Sequence, residues 1–154
     1  MKRREFITFF ASMALACPLT VRAQLPGKVY RVGLILTTSP VAEMVGLDPV
    51  HSHVRAFVHK LRDLGYVEGR NLILERRSAE GTFERFGEIL AEVVQLKPDV
   101  IVTVSDVMTQ EAKRATQTVP IVMAVSFDPV GTGNVASLAR PGSSVTGVTL
   151  QVGP

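Results

Sequence analysis

The chain has 154 residues, of which 46% are hydrophobic, 20% charged and 6% aromatic. Those proportions belong to a folded globular domain and exclude disordered, collagen-like and coiled-coil classes. One cysteine can build neither a disulfide framework nor a paired-cysteine metal site, and a chain of this length buries enough surface to hold a core without them. A formal charge of +3 raises the question of an acidic partner, nucleic acid or membrane. Where the charges stand answers it.

They stand at the front. Lys2, Arg3 and Arg4 precede an apolar run from Phe6 to Leu19, and Val21-Arg22-Ala23 closes it. This is the three-part pattern of an export signal, with cleavage expected after Ala23 and Ala16 as the second choice. The run is too short and too interrupted for a membrane span of about 20 apolar residues. Arg3-Arg4-Glu5-Phe6-Ile7 resembles the twin-arginine form of such signals, with Sec export as the other route. Either route ends outside the cytoplasm, so a periplasmic location is expected. Residues 1–23 hold four basic residues and one acidic one, which leaves 13 of each sign in residues 24–154. The mature chain is therefore neutral, and nucleic acid drops out as a partner.

From residue 24 onward, short β-branched runs alternate with helical patterns, which predicts a parallel sheet covered by helices. Residues 29–36 read as a first strand, apolar apart from Arg31 and so covered on both sides. Asp48-Pro49 reads as a helix start, with Asp48 as N-cap. Val54, Phe57, Val58, Leu61 and Leu64 follow as an apolar stripe, which Gly65 ends. Residues 72–76 form a second strand whose charged tail places it at a sheet edge. A helix is expected over 83–96, stopped by Pro98, then a buried central strand over 99–104. Ser105-Asp106 caps a helix over 107–116. Strands over 119–125 and 145–149 follow, with a short helix over 134–139 between them. The fold class is thus α/β, a doubly wound parallel five-stranded sheet in the order 2-1-3-4-5. The last strand is followed by only a few residues and no closing helix, which is unusual for a whole domain.

Ligands of open α/β sheets bind beyond the carboxyl ends of the strands, near the point where strand order reverses. Three loops qualify: Thr37, Thr38 and Ser39 after the first strand, Ser105 and Asp106 after the third, and Ser126, Phe127 and Asp128 after the fourth. Hydroxyls and free helix N–H groups there favour an anion such as a carboxylate, and Phe127 offers a ring for stacking. Each polar residue also has the plainer reading of a cap or turn former.

Signals for catalysis are poor. No GxGxxG follows the first strand, and neither a Walker A nor a GxSxG sequence occurs. His51 and His53 point to different faces of a helix, and neither they nor His59 has a carboxylate or thiol placed to complete a metal site. They read as a solvated helix face. No cofactor and no metal are expected.

Several stretches carry a resemblance. Lys2-Arg3-Arg4-Glu5-Phe6-Ile7, Leu64-Gly65-Tyr66-Val67-Glu68-Gly69-Arg70-Asn71, Leu96-Lys97-Pro98-Asp99-Val100-Ile101, Val119-Pro120-Ile121-Val122, Asp128-Pro129-Val130-Gly131 and Val135-Ala136-Ser137-Leu138-Ala139-Arg140-Pro141-Gly142 occur in the order found in ABC-transporter substrate-binding proteins. The chain resembles the type that includes tryptophan and other aromatic-amino-acid binders, from end to end. The resemblance implies a type I periplasmic-binding fold, whose two lobes close on a small solute and deliver it to an ABC permease in the membrane. It also implies that residues 24–154 are the N-terminal lobe alone, the second lobe being absent, and that a single lobe binds weakly or not at all. The resemblance implies solute capture and not an enzyme. The competing readings are an exported α/β hydrolase using Ser105 or Ser126 with His51, or a non-functional remnant of a transport protein.

Overall fold

The computed structural model describes residues 27–150; the export signal read over residues 1–23 lies outside them. Five strands form one sheet: β1 (Tyr30–Leu36), β2 (Leu72–Ser78), β3 (Val100–Thr103), β4 (Ile121–Met123) and β5 (Val145–Gly147). Every pairing is parallel, and the order is β2-β1-β3-β4-β5, as the alternating pattern predicts. Three helices join them: α1 (Ser52–Asp63), α2 (Phe86–Gln95) and α3 (Asp106–Ala115).

Two cores sit on opposite faces of the sheet, and the period-2 alternation of a strand sorts side chains between them. Val32, Leu34 and Leu36 of β1 pack with Val54 and Val58 of α1. Ile35, from the same strand, joins Phe86, Leu90 and Val93 of α2 and Met108 and Ala112 of α3. Gly33 lies on the α2 side, where a Cβ would come within 2.6 Å of Val93 Cγ1. The missing side chain is what lets α2 lie so close to the strand.

The edge position expected for β2 is observed, and its charges are paired there. Arg31 meets Glu75 across the β1–β2 pair, Arg77 lies 3.8 Å from Glu92 of α2, and Arg76, only 8% exposed, grips both Glu68 oxygens at 2.6 and 2.8 Å. A guanidinium buried this far is tolerable only with such a two-pronged partner.

The structure corrects four sequence expectations. Helix α1 starts at Ser52 and not after Asp48: His51 is its N-cap, with Nδ1 accepting the Val54 N–H at 3.3 Å. The Asp48 carboxylate lies instead 3.2 Å from His59 and 4.0 Å from Arg55, farther along the helix. Leu64 is 62% exposed, since it lies past the last helical residue, where Gly65 turns the chain at φ +91°. The helix expected over 83–96 begins as a single 3-10 turn, Phe83–Arg85, before α2. Residues 134–139 form no helix. Their backbone donors serve other acceptors, Val135 N–H on Pro129 O and Ala136 N–H on Pro141 O, each at 3.0 Å.

The connection from β4 to β5 is therefore an irregular loop, and α3 holds it. Asp106, Gln110 and Lys113 lie along one side of α3 at helical spacing. Gln110 donates to Thr132 O at 2.8 Å, and Lys113 donates to Gly133 O and Asn134 O at 2.6 and 3.1 Å. Val135 then inserts into the core, 6% exposed.

Candidate functional site

Strand β1 sends the chain to α1 on one face of the sheet, and β3 sends it to α3 on the other. Between the two departures a crevice opens at the carboxyl end of the sheet, as it must where winding reverses. It is a cleft of about 350 Å³, within the size range of small-molecule sites. Leu34, Leu36, Val102 and Val104 form its floor from β1 and the β3 end, Val54 and Phe57 its wall from α1, and Ala124 and Val125 its side after β4. Thr37, Thr38, Ser39, His51 and His53 supply its polar lining.

The polar residues are positioned from both flanks. Thr37 O accepts the Gly81 N–H at 2.9 Å and Leu36 O the Ala79 N–H at 3.2 Å, so the end of β1 is tied to the segment after β2. His51 N–H donates to Glu43 O at 2.9 Å, which seats the start of α1 on the preceding one-turn helix. The capping bond sets the neutral His51 tautomer, because an Nδ1 that accepts a hydrogen bond leaves the ring hydrogen on Nε2. The His53 ring stands 5.6 Å from that of His51, centroid to centroid. Among the described residues, no acidic or basic side chain other than these histidines lines the cleft.

Of the expected ligand contacts, the structure brings Thr37, Thr38 and Ser39 to this cleft and gives the others local partners. Ser105 caps α3, its hydroxyl accepting the Met108 N–H at 3.2 Å. Asp106 accepts the Ser126 hydroxyl, the Phe127 N–H at 3.2 Å and the Asn134 amide at 3.0 Å. Asp128 accepts the Gly131 N–H at 2.8 Å within its own turn. Phe127 is 64% exposed and lies outside the cleft lining. No hydrogen bond joins Ser105 or Ser126 to His51; the partners of the two hydroxyls are Met108 and Asp106. Among the described residues no three His, Cys, Asp or Glu side chains gather as a metal ion would require.

His51 and His53 are the cleft residues that sequence reasoning placed elsewhere. Their spacing on a helix puts them on different faces, yet they straddle the first turn of α1, where His51 precedes the helix proper. The signal that finds them is position: they open the helix that follows the strand at the reversal point.

The comparisons with known proteins agree with this architecture. A tyrosine-binding protein of Clostridioides difficile is 30% identical over 109 residues, 71% of this chain and 32% of that protein. The chain thus spans about a third of the length of the curated relative it matches. A conserved domain protein of Vibrio cholerae is 30% identical, with a TM-score of 0.65 over 79% of this chain and 39% of that one. The ligand-free, open structure of a Clostridium difficile substrate binding protein with adhesive properties gives a TM-score of 0.69 at 25% identity, covering 80% of this chain and 40% of the other. A Streptococcus pneumonia ABC domain in complex with L-Trp shares the fold, with a TM-score of 0.66 at 23% identity over 79% of this chain and 39% of its own. The sequence profile of the ABC transporter substrate binding protein family matches residues 40–152, and the chain belongs to that family.

Proposed function

We propose that this chain contributes one half of an extracytoplasmic solute receptor for an ABC importer, and that the β1–β3–α1 cleft holds an amino-acid-like or related small organic solute. The observation that carries this is the cleft itself, apolar on its floor and walls, hydroxyl-rich at one end, and set at the reversal point of the sheet. In this reading residues 1–23 direct export and are removed after Ala23, and residues 24–154 form a lobe against which a second lobe closes. The membrane permease is the partner that receives the solute. The names of two relatives, a tyrosine-binding protein and a domain in complex with L-Trp, favour amino acids over sugars or metal ions.

Closure by a second lobe supplies half of the contacts and excludes water, so the chain alone is expected to bind weakly or not at all. A thermal-shift screen of the chain joined to a second lobe, run with amino acids and small carboxylic acids, tests the assignment. Stabilisation by one of them supports it. Stabilisation by none rules out this solute class, and a sub-micromolar dissociation constant for the chain alone contradicts the need for a second lobe.

A further inference from the structure

The N-cap of α1 is a titratable one. Ser, Thr, Asn and Asp, the usual N-caps, keep their acceptor oxygens around neutral pH. The His51 ring accepts the Val54 N–H through Nδ1, at 3.3 Å, only while it is neutral. An imidazolium carries a hydrogen on both nitrogens and has no acceptor, so no rotation of the ring restores the bond once a proton is bound. The donor left behind lies in the first turn of the helix, where N–H groups have no helical acceptor, beside a Val54 side chain that is 2% exposed.

The surroundings of the ring do not offset an added charge. The His53 ring stands 5.6 Å away, centroid to centroid, and imidazoles as a class take up protons just below neutral pH. Both rings stand at the start of α1, the positive end of the helix dipole. The segment after β1 brings Thr37, Thr38 and Ser39 to the cleft, and the end of β4 brings Ala124 and Val125, none of them charged. From the one-turn helix Val41–Glu43, the contact with His51 is the Glu43 carbonyl, which accepts the His51 N–H, and the Glu43 side chain is exposed.

On α1 itself, Arg55 and His59 face Asp48, and Arg62 donates to Leu47 O at 2.6 Å. These contacts tie residues 47 and 48 to the middle of the helix, and a proton on His59 tightens its hold on Asp48. Acid therefore acts in opposite senses along this stretch, fastening Asp48 and releasing the first turn.

We propose that His51 is a pH-sensitive latch on the α1 wall of the cleft: neutral, it pins the first turn of the helix, and protonated, it lets residues 51–54 loosen while the rest of the fold stays intact. The stabilisation is present above the range in which imidazoles titrate and is lost as pH falls through it. His51 and His53 line the cleft with Val54 and Phe57, so the latch governs the shape of that wall. Its bearing on solute capture rests on the cleft being the solute site proposed above, whereas the latch works with or without a solute.

Amide exchange of the full chain at pH 7.5 and pH 5.0, divided by the rate of an unfolded chain at each pH, reads the latch with no solute present. Protection of the Val54 amide is expected to fall about fivefold in acid, as the loss of an N-cap bond implies, while the amides of Val58 and β3 change by less than about twofold. His51→Ser supplies an N-cap oxygen at every pH, and its Val54 protection is expected to hold within about twofold. His59→Gln leaves the latch in place and is expected to keep the fivefold fall.

A change below about twofold in the unaltered chain overturns the proposal, as does a fall in His51→Ser equal to that of the unaltered chain. Loss of the fall in His59→Gln moves the effect to His59 and overturns it likewise. A fall shared by Val58 and β3 is general unfolding, which also overturns it. Each of these outcomes leaves the solute assignment standing, since the thermal-shift screen decides that separately.

Discussion

The carboxylate of Asp106, at the first position of α3, accepts the hydroxyl of Ser126 across 20 residues of chain. Ser126 is wholly buried, as is Asn134, whose amide reaches the same carboxylate at 3.0 Å. One side chain thus joins the start of a helix to the beginning and the middle of the loop that leaves β4. Replacing Asp106 by Ala strands the buried Ser126 hydroxyl, whereas the Asn134 amide keeps Asp106 O and Thr132 Oγ1 at 3.2 and 3.1 Å; an unsatisfied buried polar group costs about 1–3 kcal/mol. Urea denaturation of D106A is expected to show a loss of about 1–3 kcal/mol with an unaltered slope. A loss under 1 kcal/mol means that water replaces the carboxylate.

Lys113 holds the same loop farther along, through Gly133 O and Asn134 O. Lys113→Met keeps the stem and removes the ammonium. A stability loss of about 1 kcal/mol is expected, together with faster hydrogen exchange at the Gly133 and Val135 amides and unchanged exchange in β1 and β3. Uniformly faster exchange would show that the loop and the core open together.

The contact between Gly33 and Val93 predicts overpacking. A methyl group at residue 33 meets Val93 Cγ1 at 2.6 Å, and inserted core methyl groups typically cost about 1–3 kcal/mol. Gly33→Ala is expected to lower stability by that amount, and Val93→Ala, harmful alone, to relieve part of it. The double variant should therefore be more stable than the sum of the single losses implies, which a double-mutant cycle by denaturant melts measures.

At the opposite end of the sheet, Lys28 lies 2.8 Å from Asp99. The Lys28 hydrogen bond, aided by the Arg31 N–H, holds the Asp99 carboxyl below its ordinary 3.8. A carboxylate whose pKa falls on folding stabilises the fold above the unfolded value and ceases to do so as pH drops through the folded one. The Asp99 side-chain resonance is expected to titrate below 3.8, and Lys28→Met to move the midpoint upward. An unmoved midpoint would assign the shift to Arg31. Both side chains are well exposed, so the effect on stability is small.

The alternation of strands and helices and the faces of β1 were legible because they follow from periodicity, which extends over many residues, and the strand order followed from the usual winding of such a fold. Val32, Leu34 and Leu36 against Ile35 sort themselves by alternation alone, and the charges of Glu75 and Arg76 place β2 at an edge. What was not legible depended on single long-range bonds. Asp48 before Pro49 is a sound helix start by local chemistry, yet its carboxylate turns to His59 and leaves the cap to His51. Asn134 to Ala139 reads as a helix until the Val135 and Ala136 N–H groups are given to Pro129 O and Pro141 O. Thr37, Thr38 and Ser39 could be placed at the cleft by strand-end logic, whereas His51 and His53 come to it only once α1 is known to begin at Ser52.

The anchoring of the loop after β4 bears on how the protein can change over time. Gln110 and Lys113 grip main-chain oxygens of Thr132, Gly133 and Asn134, and a carbonyl is the same whatever residue bears it. These anchors recognise the path of the loop and are indifferent to its spelling. Exposed positions such as Phe127 and Val130 are therefore open to substitution without loss of the scaffold, and the rim of the sheet can be rewritten for new contacts while the fold beneath it stays as it is.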